Sequence, residues 1–155
     1  MTTVQNELKK LVASDAASGD GFGYSVATSG NYAIVASPSD DNYKGAAYIF
    51  QLSNGTWTQK QKLSASDKTN GDRFGSSVVI SGNYAIIGAN ADDSFTGSAY
   101  IFERSNGTWT QKQKITASDR GSGSLFGMSV SISGNNLIVG AQTKVSNGIK
   151  VGAAY

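Results

Sequence analysis

Apolar and polar residues alternate along this chain in short runs that break at Gly and Asn, the two-residue period of strands. Residues 76–81 (Ser-Ser-Val-Val-Ile-Ser) are one β-prone run, Gly82-Asn83 interrupts it, and residues 84–89 form a second. The corner predicts a hairpin, because Gly and Asn accept the positive φ of a tight primed turn. A polar stretch over 90–96 leads to a third run over 97–104, with Ala99 and Ile101 on one face and Tyr100 and Phe102 on the other. Asn106-Gly107 marks a second corner, and a fourth run alternates Trp109, Gln111 and Gln113 against Thr110, Lys112 and Lys114. A strand this polar belongs at the solvent edge of a sheet. A helical period fits only Val4 to Val12, and strand is preferred there because Leu8 to Leu11 leads into Ala-Ser-Asp as Lys60 to Leu63 does.

The pattern occurs three times. Ala13-Ser14-Asp15 returns as Ala65-Ser66-Asp67 and Ala117-Ser118-Asp119, and Phe22-Gly23 as Phe74-Gly75 and Phe126-Gly127, each 52 residues on. Such a period signals small units that bury their apolar faces only against neighbours. Four antiparallel strands in about 50 residues, ordered from apolar to polar, predict an all-β fold, a β-propeller of four-stranded antiparallel blades. A β-helix or a single sandwich explains the faithful corners less well. The expected boundaries are an N-terminal outer strand within 1–14, blades over 15–66 and 67–118, and an incomplete third blade over 119–155. Three blades are fewer than the usual four to eight of a ring. The expected solution is a homodimer closing a six-bladed ring, each N-terminal strand completing the other chain's last blade. A half-propeller fragment or an engineered chain that reassembles in this way is compatible with it.

Composition narrows the chemistry. Net charge is +2, and no clustered Lys and Arg offer a footprint for nucleic acid. Lys60, Lys62, Lys112 and Lys114 read as one solvated strand face. Cys and His are both absent, which removes disulfides, thiolate chemistry, the commonest general base and the commonest zinc ligand. No base stands ready to activate a Ser and no carboxylate pair faces an apolar wall, so an enzyme is not expected, nor a cofactor. No apolar run approaches the ~20 residues of a membrane span, and residues 1–7 lack signal-peptide regions.

Phe-Gly opening the inner strand, Gly-Ala closing the second, and Gly-x-Ala-Tyr-Ile-Phe on the third together resemble the FG-GAP repeats of integrin-α-type β-propellers, above all the bacterial subfamily. The resemblance spans essentially the whole chain. It implies a non-catalytic binding or scaffold module for protein interaction or adhesion, at the cell surface or outside the cell, with a protein or glycan partner. It assigns no metal here. Integrin-type repeats carry a long Asp-rich calcium loop between the first two strands, and this chain has only Ser-Gly-Asn there, too short for six to eight oxygens.

The remaining candidates are few. Asp40, Asp41, Asp92 and Asp93 lie between the second and third strands; with Asp15, Asp20, Asp67 and Asp72 they are expected to cap turns. The third copy has Gln142-Thr143-Lys144 instead. Trp57 and Trp109 could stack on a sugar, the lectin reading, or cover the sheet edge against Phe50 and Phe102. Asn54 and Asn106 match a glycosylation sequon at corners where Asn-Gly is wanted for the turn. Phe22, Phe74 and Phe126 are expected as wedges between blades.

Overall fold

The computed structural model describes residues 9–155. β1 (Val26–Ser29), β2 (Tyr32–Ser37), β3 (Ala46–Ser53) and β4 (Thr56–Leu63) form an antiparallel sheet in sequence order. β5 (Phe74–Ser81), β6 (Tyr84–Ala89), β7 (Ser98–Ser105) and β8 (Thr108–Ile115) repeat it. In the third copy β9 (Phe126–Ser133) and β10 (Asn136–Ala141) pair, β13 (Ala153–Ala154) joins the outer side of β10, and β11 (Val145–Ser146) with β12 (Ile149–Lys150) makes a small separate hairpin. The fold is all-β, and the sheets are consecutive propeller blades. Gly30, Gly82 and Gly134 take positive φ at the first corners while the following Asn does not, as a II′ turn requires. At the second corners both Asn54-Gly55 and Asn106-Gly107 are left-handed, the requirement of a I′ turn.

Consecutive sheets bury one apolar core between them. Ile34, Ala47, Ile49 and Leu63 of the first face Phe74, Val78, Ile87, Tyr100 and Phe102 of the second. Ile86 and Ala99 then face Phe126, Val139 and Ala141 of the third. The Phe-Gly pairs sit at these junctions. Phe74 and Phe126 bridge in parallel to Gly45 and Gly97 of the preceding copy. The Phe74 ring meets Tyr100 and Phe102 edge-on at 5.4 and 6.0 Å, and Phe22 meets Tyr48 and Phe50 in the same way. Phe74 and Phe126 thus lie at the junctions between sheets, while Phe22, with no preceding sheet beside it, packs on Tyr48 and Phe50 of the first sheet. At Gly127 (φ +86°) a Cβ would lie 2.2 Å from the Ser98 carbonyl oxygen, so backbones approach here as only glycine allows.

Residues 1–8 of the proposed N-terminal strand lie outside the described residues, residues 9–13 form no strand within this chain, and Leu11 packs on the cluster around Tyr48 and Phe50. One expectation changes: the outer strands do not alternate simply. Both carry a one-residue bulge, at Lys60 and at Lys112, where the partners jump from Gln61 to Gln59 and from Gln113 to Gln111. A bulge reverses the facing of everything beyond it. Lys114, opposite Tyr100, thus shares a face with Trp109, opposite Arg104, instead of opposing it.

Candidate functional site

Among the described residues, runs of left-handed non-glycine backbone fall in the connections between second and third strands. Asp40–Tyr43 and Asp92–Phe95 each form a single helical turn in which the last three residues have positive φ: Asp41, Asn42 and Tyr43, then Asp93, Ser94 and Phe95. Left-handed backbone costs non-glycine residues about 1–2 kcal/mol each. The composition of these stretches signalled that geometry only weakly, through Asp41, Asn42 and Asp93, and not at Tyr43, Ser94 or Phe95. Each turn is closed by the N–H of Gly45 or Gly97 donating to the carbonyl of Asp40 or Asp92 at 2.9 Å. The outcome is an aromatic ring held in solvent: Tyr43 is 52% exposed and Phe95 50%.

A charged cluster fixes each turn from beneath. In the first copy Lys62 Nζ donates to Asp15 Oδ2 at 2.7 Å and to buried Asp40 Oδ2 at 2.8 Å, and the Tyr48 hydroxyl donates to Asp40 at 2.8 Å. In the second, Lys114 reaches Asp67 at 2.6 Å and buried Asp92 at 2.7 Å, and the Tyr100 hydroxyl donates to Asp67 at 3.0 Å. Hydrogen bonding from Lys62 holds the Asp15 carboxyl below its usual range. Burial alone would raise that of Asp67, but Lys114 and Tyr100 outweigh it and the net shift is downward. Burial likewise works against the charge on Lys62 and Lys114, and their carboxylate partners more than restore it, so both stay firmly protonated. Burial raises both tyrosine hydroxyls. Each cluster sets two carboxylates on one lysine, which ties the turn to the outer strand.

The third copy keeps part of this arrangement. Lys144 pairs with Asp119 at 3.0 Å and the Tyr155 hydroxyl donates to Asp119. The cation now comes from the connection itself, where the other copies have their buried Asp, and the β11–β12 hairpin replaces the strained turn.

The other candidates separate. Asp20 and Asp72 do close local turns, accepting from the N–H of Ala17 and of Thr69. Asp41 and Asp93 pair at the surface with Lys44 and Arg120. Asp15, Asp40, Asp67 and Asp92 are ion-pair partners of lysine, so turn capping is not their role, and Lys62 and Lys114 are not freely solvated. The lysine contacts were illegible because the bulges hide which face the lysines share. Among the described residues no group of three acidic side chains is arranged to hold a metal. Trp109 is 2% exposed, lying edge-on to Tyr32 of the first sheet at 6.3 Å with its backbone clamped by Gln61, so it has no open ring face for a sugar. Trp57 packs, half-buried, on the cluster of Tyr48 and Phe50.

The sequence profile of the FG-GAP repeat matches residues 6–50, 57–102 and 109–155. Among curated proteins none matches the chain. The second and third matched windows start on an outer strand, β4 or β8, and run into the following sheet, so the sequence unit straddles two blades.

Proposed function

The chain belongs to the FG-GAP repeat family, and from that premise we propose that it is a non-catalytic propeller module that binds a protein partner, as a scaffold or in adhesion, outside the cell or at its surface. The observation that carries this is the pair of left-handed turns. Strain in non-glycine backbone persists where surrounding structure imposes it, and it concentrates at ligand-binding and switching sites. Here the Asp–Lys clusters impose it twice at the same place in the repeat, and both times the product is an exposed aromatic. Rigid exposed aromatics are the residues most enriched at the centres of protein interfaces.

In this reading a second copy completes the ring. Ile34 and Ile86 are covered by the following sheet, while their counterpart Ile138 is 53% exposed; Val78 is covered by the preceding sheet, while its counterpart Val26 is 64% exposed. The two open faces are therefore the two halves of a junction the chain already makes internally. Lys10, which stands where Lys62 and Lys114 stand in the other copies, would come beside Asp119 of the second copy, a carboxylate already paired with Lys144. Mass by light scattering across a dilution series tests it: a dimer is expected at micromolar concentration, weakened by Ile138→Asp. A monomer throughout would end the ring proposal. Tyr43→Ala with Phe95→Ala should abolish partner capture while leaving mass and melting temperature unchanged.

A further inference from the structure

Beside the first left-handed turn, where the first and second sheets meet, lies a cleft of about 230 Å³. Tyr24, Ser39 and Tyr43 line it from the first copy, and Arg73, Ser76 and Asn90 from the second. The strands around it repeat almost unchanged, but each of these positions holds a different residue in the other copies. Tyr24, Ser76 and Met128 share one place in the repeat, Gly21, Arg73 and Leu125 another, and Pro38, Asn90 and Gln142 a third. Tyr43 is replaced by Phe95, and Ser39 by Ala91. Size matters at the first of these places. Ser76 leaves room here, whereas Met128 in the next junction extends its sulfur to the Asn90 amide nitrogen at 3.1 Å. The chemistry of the cleft thus belongs to this junction and not to the scaffold.

Four of its residues bear on what it could hold. Arg73 is exposed, its guanidinium 5.7 Å from the centre of the Tyr43 ring, and it takes part in none of the ion pairs among the described residues. Asn90 is 8% exposed, its side-chain nitrogen is committed to Met128, and its Oδ1 has no hydrogen-bond partner. A buried acceptor without a donor calls for a specific explanation. Tyr24 and Tyr43 both expose their rings, whose apolar faces and polar tips suit a ligand that is apolar on one side and hydroxylated at its edge.

Guanidinium is the group best matched to a carboxylate, through two parallel N–H donors. The Ser39 hydroxyl suits a neighbouring hydroxyl group, whereas that of Ser76 already accepts from the Asn90 N–H and donates to the Gly127 carbonyl. The cleft is smaller than the roughly 300–1,000 Å³ that take a drug-sized ligand, which limits the occupant to a single small ring. We propose that the junction between the first two blades binds a carboxylate-bearing sugar residue of the uronic acid type, Arg73 holding the carboxylate and the two tyrosines flanking the ring. The site deepens the binding-module reading but does not depend on ring closure, since both its walls lie in one chain.

The test is a titration of the isotope-labelled protein with sodium glucuronate, glucose and glutarate, followed through amide resonances. Glucuronate should shift Arg73, Ser76 and Asn90 saturably, with glucose and glutarate each binding about tenfold more weakly or worse. Arg73→Leu and Ser76→Met place there the residues the third copy carries, and Leu125 has nearly the φ of Arg73 (+56° against +58°), so folding should be preserved. Each should weaken glucuronate about tenfold to a hundredfold; Arg73→Leu should leave the melting temperature unchanged, and Ser76→Met should lower it slightly, because the Ser76 hydroxyl bonds the Asn90 N–H and the Gly127 carbonyl. Glucose binding as tightly as glucuronate would remove the carboxylate role. Glutarate binding as tightly would make this a site for acidic peptide side chains. No saturable shift, or binding indifferent to Ser76→Met, would overturn the site outright. None of these results touches the dimer measurement, so the two readings fail separately.

Discussion

The hydroxyl of Tyr48 donates to Asp40, whereas its counterpart Tyr100 donates to Asp67 instead. The residue two places earlier decides between them. Ser98 donates its own hydroxyl to Asp92 at 2.5 Å, and the first copy has Ala46 there, so Tyr48 must supply the missing donor. Ser98→Ala should then cost below about 1 kcal/mol, because Tyr100 can turn to Asp92. Ser98→Ala combined with Tyr100→Phe should cost more than the sum of the single changes. Chemical denaturation of the three variants measures the difference.

Lys114 carries the charge balance of the second cluster. Lys114→Met leaves Asp92 buried without its cation and should cost about 2 kcal/mol, between the ~1 kcal/mol of an exposed pair and the ~3–5 kcal/mol of a buried one. Lys112→Met, two residues away, loses only a surface contact to Glu103 at 3.3 Å and should cost below about 1 kcal/mol. Equal losses would mean that the cluster holds nothing in place.

The pH profile follows from the same groups. Asp15 is lowered by Lys62, Asp67 by Lys114 and Tyr100 against the pull of burial, and Asp119 by Tyr155 and Lys144. Lowered carboxyls add stability that is present above their unfolded value of about 4 and lost as pH falls through the folded one. Tyr48 and Tyr100 are raised by burial, and Lys62 and Lys114 by their carboxylates against burial. Raised groups add stability that is present below their unfolded value of about 10 and lost above it. With no His in the chain, the melting temperature should be level from about pH 5 to 9 and fall on both sides. A decline between about pH 6 and 8 would contradict this assignment.

Two glycines with positive φ offer a matched comparison. At Gly134 a Cβ meets nothing within 4 Å, while at Gly127 it strikes the Ser98 carbonyl across the blade junction. Gly134→Ala should cost about 1 kcal/mol for the backbone alone. Gly127→Ala should cost about 3 kcal/mol or more, because the sheets must also separate. Thermal melts of the two variants, read side by side, isolate the price of close approach.

Calcium should have no effect on stability. The carboxylates of Asp40 and Asp92 are each paired with lysine at 2.8 and 2.7 Å, and among the described residues no group of three acidic side chains is arranged to hold an ion that requires six to eight oxygens. A shift of several degrees on adding calcium or a chelator would show otherwise.

Blade architecture was legible because its signals are local. Strand runs, Asn-Gly corners and the 52-residue period each depend on neighbours in sequence, and the paired faces of Ala99 and Tyr100 followed from alternation. The candidate site was legible only in part. Asp40 and Asp92 stood out as acidic residues in a loop, but their partners Lys62 and Lys114 lie 22 residues further on, behind a bulge that alternation cannot reveal. Left-handed backbone at Tyr43 and Phe95 runs against what those side chains prefer, so tertiary contacts and not propensity impose it. On sequence Trp109 covers its own sheet edge or stacks on a sugar; its burial against Tyr32 of another blade is a contact that neighbours in sequence do not show.

The straddling of two sheets by one sequence unit bears on how such genes grow. A unit that opens on the outer strand of one sheet and supplies the inner three of the next never stands as a closed piece. Duplicating it adds a full blade, and deleting it removes one, without stranding an unpaired edge in either case. The corners at Asn54-Gly55 and Asn106-Gly107 fall between the matched windows, so a cut at either corner separates whole sequence units.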